Sequence, residues 1–224
     1  MKKHIPNALT CGNLLCGFLG ITCCFEWSLS WAAYFIFAAV VFDFFDGFVA
    51  RALKVSSPIG KDLDSLADMV TFGVLPALII YKLVQNIGSP FAYFSVFIAV
   101  FSALRLAKFN NDTRQSDSFI GVPTPANALL ICSFPLILEG DSFLTDLVGN
   151  LYFLCAVMVV MPFLLVAELP LIALKFKTYD FASNKIKYIL MISSVILLIA
   201  LNFAAIPLII VLYILLSVVN RVQG

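Results

Sequence analysis

The chain has 224 residues, of which 62% are hydrophobic and 12% charged, and its net charge is +1. A soluble domain carries about 25% charged residues, so this composition excludes an ordinary water-soluble globule and implies one helical bundle dissolved in lipid. With balanced charge and no long basic tract, no nucleic acid is expected as a partner.

Spanning a ~30 Å hydrocarbon core takes about 20 apolar residues. Candidate stretches run over 8–26, 29–53, 63–86, 90–109, 124–139, 147–170, 186–201 and 204–220. The fifth and seventh are short, so they are tilted or hide half-spans. The expected fold is all-α: a polytopic transmembrane bundle of about eight spans, forming a single domain over 1–224. Charge sets the orientation. With the N-terminus inside, Lys82 is the one basic residue of 14 that falls outside, whereas Glu26, Glu139, Asp141 and Asp146 all fall outside. By the positive-inside rule, both termini are cytoplasmic.

In chain order, the basic start Met1-Lys2-Lys3 leads into the first apolar stretch with no clear cleavage site, so that stretch is expected to be retained. Pro6-Asn7 suits the start of a helix. Thr10 and Asn13 follow three residues apart, on one face, and such a polar face should look into protein. His4 reads as a solvated interfacial residue. The cysteines, Cys11, Cys16, Cys23, Cys24, Cys132 and Cys155, lie in apolar runs without a CxxC pair and read as packing residues. Three polar stretches, 51–64, 105–127 and 175–187, interrupt the apolar text. In the first, Ser56-Ser57-Pro58 marks a turn. In the second, Arg105, Lys108 and Arg114 anchor the cytoplasmic side. Arg105, still within its helix, is also suited to grip an oxyanion in bidentate fashion. Asn110 and Asn127 read as helix caps, with reaching the same cavity as Arg105 the alternative. The third is a membrane-surface loop whose lysines meet anionic headgroups. Glu168 falls within the sixth span, near Pro170.

Charges within spans are costly and mark function. Asp43, Asp46, Asp62, Asp64 and Asp68 crowd into 43–68. At about 100° per residue, Asp43 and Asp46 lie about 60° apart, with Gly47 and Ala50 on their side. Asp64 and Asp68 lie about 40° apart, with Gly60 on theirs. Asp62, about 160° from Asp64, faces elsewhere. Each helix thus presents two carboxylates beside small residues, which let backbones approach each other or a ligand. Four facing carboxylates repel in a low dielectric and need cations. Oxygen-only donors suit Mg²⁺, Mn²⁺ or Ca²⁺ rather than zinc, and two such ions suit a phosphoryl displacement. An ion-coupled transporter would instead distribute its acids along the membrane depth.

Written out, the segment is Asp43-x-x-Asp46-Gly47-x-x-Ala50-Arg51, eight residues, then Gly60-x-x-x-Asp64-x-x-x-Asp68. It resembles the signature of the CDP-alcohol phosphatidyltransferase family at every defined position. The opening Pro6-Asn7-x-x-Thr10-x-x-Asn13, the stretch Arg105-Leu106-Ala107-Lys108-Phe109-Asn110 and the stretch Phe119-Ile120-Gly121-Val122-Pro123-Thr124-Pro125-Ala126 are similar to the members of that family that use serine. The resemblance implies a membrane enzyme that moves a phosphatidyl group from CDP-diacylglycerol to the hydroxyl of L-serine, with CMP leaving. It implies Asp43, Asp46 and Asp64 as ligands of a divalent metal, Mn²⁺ or Mg²⁺ or else Ca²⁺, bound as two ions, with Asp68 a ligand of the second ion, the general base, or both. It implies Thr10, Asn13, Gly47, Ala50, Arg51 and Gly60 around the CDP-lipid; Arg105, from its own place and chemistry, is expected on the acceptor or lipid phosphate. A homodimer in a bacterial inner membrane, with its active site facing the cytoplasm, is the expected setting. Other acceptors, such as glycerol 3-phosphate or inositol phosphate, and an archaeal ether-lipid donor are the alternatives within the same chemistry.

Overall fold

The computed structural model describes residues 4–55, 57–111, 119–140, 142–172 and 180–223. Lys2, Lys3, Ser56, Arg114, Asp141 and residues 175–179 of the basic loop lie outside the described residues. Helices dominate, as the composition demands: α1 His4–Glu26, α2 Leu29–Ala52, α3 Pro58–Asp68, α4 Leu75–Asn86, α5 Val96–Asn111, α6 Thr124–Glu139, the short α7 Thr145–Val148, α8 Leu151–Val166, α9 Phe181–Leu201 and α10 Ala205–Gln223. Five helical stretches are long and apolar enough to cross a membrane: His4–Glu26, Leu29–Ala52, Pro58–Asn86, Pro90–Asn111 and Asn184–Val219. The last, at 36 residues, exceeds one crossing and is broken by a 3₁₀ turn, Asn202–Ala204, where Asn202 takes a φ of 48°. The two short apolar helices, α6 and α8, have 16 residues each, or about 24 Å at 1.5 Å per residue.

Local chemistry explains the joints. Ser28 caps α2 by accepting from the Trp31 amide, 3.3 Å away. Ser57 caps α3 by accepting from the Gly60 amide, 3.0 Å away, with Pro58 opening the helix, a position where its missing N–H is harmless. Between α3 and α4 the chain widens into a π-helical segment, Met69–Val74. Pro76, one turn on, has no N–H for the Phe72 carbonyl, and its ring crowds that carbonyl, so the ladder shifts to a wider spacing just before it.

Two expectations are corrected. The sixth span ends at Val166, and Glu168 is exposed beyond it. Leu169 precedes Pro170, which disfavours helix there. The chain instead extends into β2 Pro170–Leu171, antiparallel to β1 Phe119–Ile120. Gly121, with a φ of 77°, follows β1, and a side chain there would collide with the Leu165 carbonyl. Its amide donates to the Leu169 carbonyl at 2.9 Å, and that of Val122 to the Leu164 carbonyl at 2.9 Å. This tie holds the start of α6 against the end of α8.

The core is built around α6, which packs on α2, α4, α10 and the π-helical segment. It contributes Ile131, Phe134 and Ile137, which meet Ile36 and Ala39 of α2 and Leu75, Ile79 and Ile80 of α4 in one cluster. α1 lies along α2 and also against α3, the π-helical segment and α4. Close approach is allowed by glycines: side chains at Gly17 and Gly20 would collide with Thr71 and Leu75. The outward surface is apolar, with Tyr152, Ile199 and Trp27 all exposed. So large an apolar exterior has no place in water, and the chain is an integral membrane protein.

Candidate active site

The C-terminal half of α2 and the whole of α3 carry the acids. α2 and α3 touch each other little; both rest on α1, which leaves a cleft between them. Across it Asp43, Asp64 and Asp68 meet, each offering a carboxylate oxygen within 4.8 Å of the others. Asp68 is buried and the other two are half-buried. Three like charges this close in a low dielectric repel strongly. With oxygen as the only donor type, the set fits a hard divalent cation.

Asp46 stands outside this triple. It is buried, and its Oδ2 accepts from the Thr10 hydroxyl at 2.7 Å. That hydroxyl also lies 3.1 Å from the Pro6 carbonyl. One turn further along α1, the side-chain nitrogen of Asn13 donates to Asp68 Oδ1 at 3.0 Å. The backbone of Asn13 is pinned in turn, its carbonyl accepting from the Thr71 hydroxyl at 3.2 Å. Thr10 and Asn13 therefore do look into protein, as their shared face required, and each holds one carboxylate. Asp62 is exposed and takes no part in the group.

Beside the acids lies a cavity of about 270 Å³. Pro6, Asn7 and Thr10 of α1, Asp46, Gly47 and Ala50 of α2, and Gly60, Lys61 and Asp64 of α3 line it, with Val55 and Ser57 from the connector. The small residues of the motif thus border open space, and Gly60 also lets α1 come close, since a side chain there would sit 3.2 Å from Asn7 Oδ1. Thr10, Gly47, Ala50 and Gly60 are among its walls, while Asn13 lies deeper, on Asp68. Arg51 is exposed and folds back along α2, so that a side chain on Gly47 would sit 3.4 Å from its Nη1.

Arg105 is buried in α5, within electrostatic reach of Asp68 and Tyr213, with its guanidinium 5.6 Å from the Phe109 ring centre. Two asparagines depart from the cap expectation. Asn110 ties α5 to α3: its side chain donates to the Ser65 hydroxyl at 2.7 Å, and its carbonyl accepts from Lys61 Nζ at 2.7 Å. Asn127 is fully buried in the first turn of α6, where Pro123 occupies the cap position. A cap and a cross-helix tie use the same residue type, and only the neighbouring helix distinguishes them. Asn7, Ser57 and Lys61, whose polar groups lie at helix starts, were not expected at the site; the signal available was their adjacency to the motif.

Comparison with known proteins adds an independent finding. A family model described as CDP-alcohol phosphatidyltransferase matches residues 3–166. A Bacillus subtilis protein named CDP-diacylglycerol–serine O-phosphatidyltransferase is 39% identical over 136 residues, covering 59% of this chain and 76% of that one. A Helicobacter pylori protein of the same name is 40% identical over 129 residues, 56% of this chain and 54% of its own length. An archaetidylserine synthase of Methanothermobacter thermautotrophicus is 35% identical over 139 residues, 59% of this chain and 58% of that protein. The match thus spans about half the length of the latter two.

Proposed function

Because the chain belongs to the CDP-alcohol phosphatidyltransferase family, we propose that it transfers the phosphatidyl group of CDP-diacylglycerol to the hydroxyl of L-serine, yielding phosphatidylserine and CMP. The observation that carries this reading is the acid group of Asp43, Asp64 and Asp68 beside a cavity walled by Thr10, Gly47, Ala50 and Gly60. The names of the relatives support serine as the acceptor.

In this reading the cavity receives the CDP end of the donor. Gly47, Ala50 and Gly60 admit it, Thr10 orders Asp46 at its wall, and Arg51 supplies positive charge at its mouth. Asp43, Asp46, Asp64 and Asp68 would hold the divalent metal, Mg²⁺ or Mn²⁺, as a pair of ions. Bound there, the metal would offset the carboxylate charge and stabilise the departing CMP. Asp68, oriented by Asn13, takes the proton of the serine hydroxyl. The new bond forms between the serine oxygen and the lipid-side phosphorus, and the bond from that phosphorus to the CMP oxygen breaks. Arg105, buried near Asp68, faces the anionic end of the acceptor. The wider setting we propose is a single domain of about eight spans with both termini in the cytoplasm. It acts as a homodimer in a bacterial inner membrane, with the acids at the cytoplasmic side. The archaeal relative supports a second reading of the donor alone, an ether lipid in place of the diacyl one.

The test is CMP release by purified protein in detergent, with CDP-diacylglycerol and L-serine, before and after chelation. We expect serine-dependent release that stops on chelation, returns with Mn²⁺ or Mg²⁺, and is absent in Asp64→Asn. Release with glycerol 3-phosphate or inositol phosphate instead would retain the chemistry and reject serine. A preference for the ether-lipid donor would select the second reading.

A further inference from the structure

Buried polar groups in folded proteins are nearly always hydrogen-bonded, and each exception needs a reason. Among the described residues the buried side-chain atoms without a partner are Asn13 Oδ1, Ser102 Oγ, Arg105 Nε, Thr124 Oγ1 and both polar atoms of Asn127. They are not scattered. Ser102 and Arg105 are three residues apart on α5, and Thr124 and Asn127 three apart on α6, so each pair shares a helix face. α5 and α6 pack on each other, and both pack on the π-helical segment that directly follows Asp68. Ser102 meets Gly73 of that segment, where an added side chain would come within 3.2 Å of its Cβ. The free oxygen of Asn13 belongs to the amide whose nitrogen holds Asp68. None of these five residues is among the walls of the nucleotide cavity.

We propose that Ser102, Thr124 and Asn127, none of which lines that cavity, join Arg105 in a subsite that reads a small zwitterionic acceptor. Asn127 is its specificity-determining residue. This rests on the serine reading above and deepens it. The chemistry of the unpartnered atoms is mixed: donors from Arg105 and the Asn127 amide nitrogen suit a carboxylate, and the Asn127 and Asn13 oxygens suit an ammonium. A phosphate-bearing alcohol would find one buried guanidinium and carbonyl oxygens that repel it. Fully buried and unpaired, Asn127 and Thr124 work against folding in the free protein, which is the mark of groups held ready for a ligand.

The test compares wild type with Asn127→Leu, which keeps the size and removes both polar atoms. CMP release is titrated separately in L-serine and in CDP-diacylglycerol, and thermal unfolding in detergent is followed with and without L-serine. We expect the KM for serine to rise at least about tenfold, as loss of a hydrogen bond to a charged group implies, with the KM for CDP-diacylglycerol unchanged. The Tm of the free variant should equal or exceed that of wild type, and the rise in Tm on adding serine should vanish. Discrimination against 3-hydroxypropionate, which lacks the ammonium, should narrow. An unchanged serine KM, or a fall in Tm with both KM values rising together, overturns the proposal by making Asn127 a folding residue. If Asn127→Leu does not accumulate as folded protein, the near-isosteric Thr124→Val is read by the same split, and an unchanged serine KM again overturns it. Wild-type protein that ignores L-serine while using another acceptor overturns the serine reading itself, and with it a pocket for an amino acid.

Discussion

Thr10 and Asn13 sit one turn apart on α1, and each fixes a different carboxylate. Their roles separate in experiment. Thr10→Val keeps the shape and loses the bond to Asp46 at the cavity wall, so the KM for CDP-diacylglycerol should rise about tenfold at saturating serine. Asn13→Ala frees Asp68 to rotate, so kcat should fall at least about tenfold while the KM for CDP-diacylglycerol holds. Steady-state CMP release, with helicity checked by circular dichroism, reads both outcomes. That these residues point inward was legible from spacing alone, because a polar pair on one face of an apolar helix has nowhere else to go. Which carboxylate each one meets was not, since Asp46 and Asp68 lie 36 and 55 residues further along the chain.

At the level of elements, the site depends on α1 lying close to the π-helical segment and α4. Gly17→Val would drive a side chain into Thr71, whose hydroxyl holds the Asn13 carbonyl. Overpacking costs about 1–3 kcal/mol, so the Tm in detergent should drop and CMP release should fall with it, through the displaced Asn13. The tie between α5 and α3 is lighter. Asn110→Ala removes the bond to Ser65, at about 0.5–1.5 kcal/mol, and should lower the Tm modestly. The apolar stretches foretold the helices closely because hydrophobic length is a local property. The failure at 167–170 has a local cause too, Pro170, but the ladder that replaces the helix depends on Gly121, nearly fifty residues earlier in the chain.

For the whole molecule, the basic residues lie on one side of the predicted topology, and Lys82, the exception, rests its ammonium 4.6 Å over the Phe25 ring. In a background with all six cysteines replaced, Lys54→Cys should resist a membrane-impermeant thiol reagent in intact cells, while Ile87→Cys should react. The reverse pattern would turn the bundle over and put the acids on the wrong side for a cytoplasmic nucleotide. Sequence alone determined the class, the helical rods and the acidic motif, because hydrophobic length, charge bias and a fixed spacing of aspartates are all local along the chain. Tertiary structure decided that Asp43, Asp64 and Asp68 converge while Asp46 turns to Thr10, that Asn110 is a tie rather than a cap, and that Asn127 lies buried with no partner among the described residues. Those outcomes depend on which helix α1, α5 or α6 packs against, and no periodicity within a single segment carries that information.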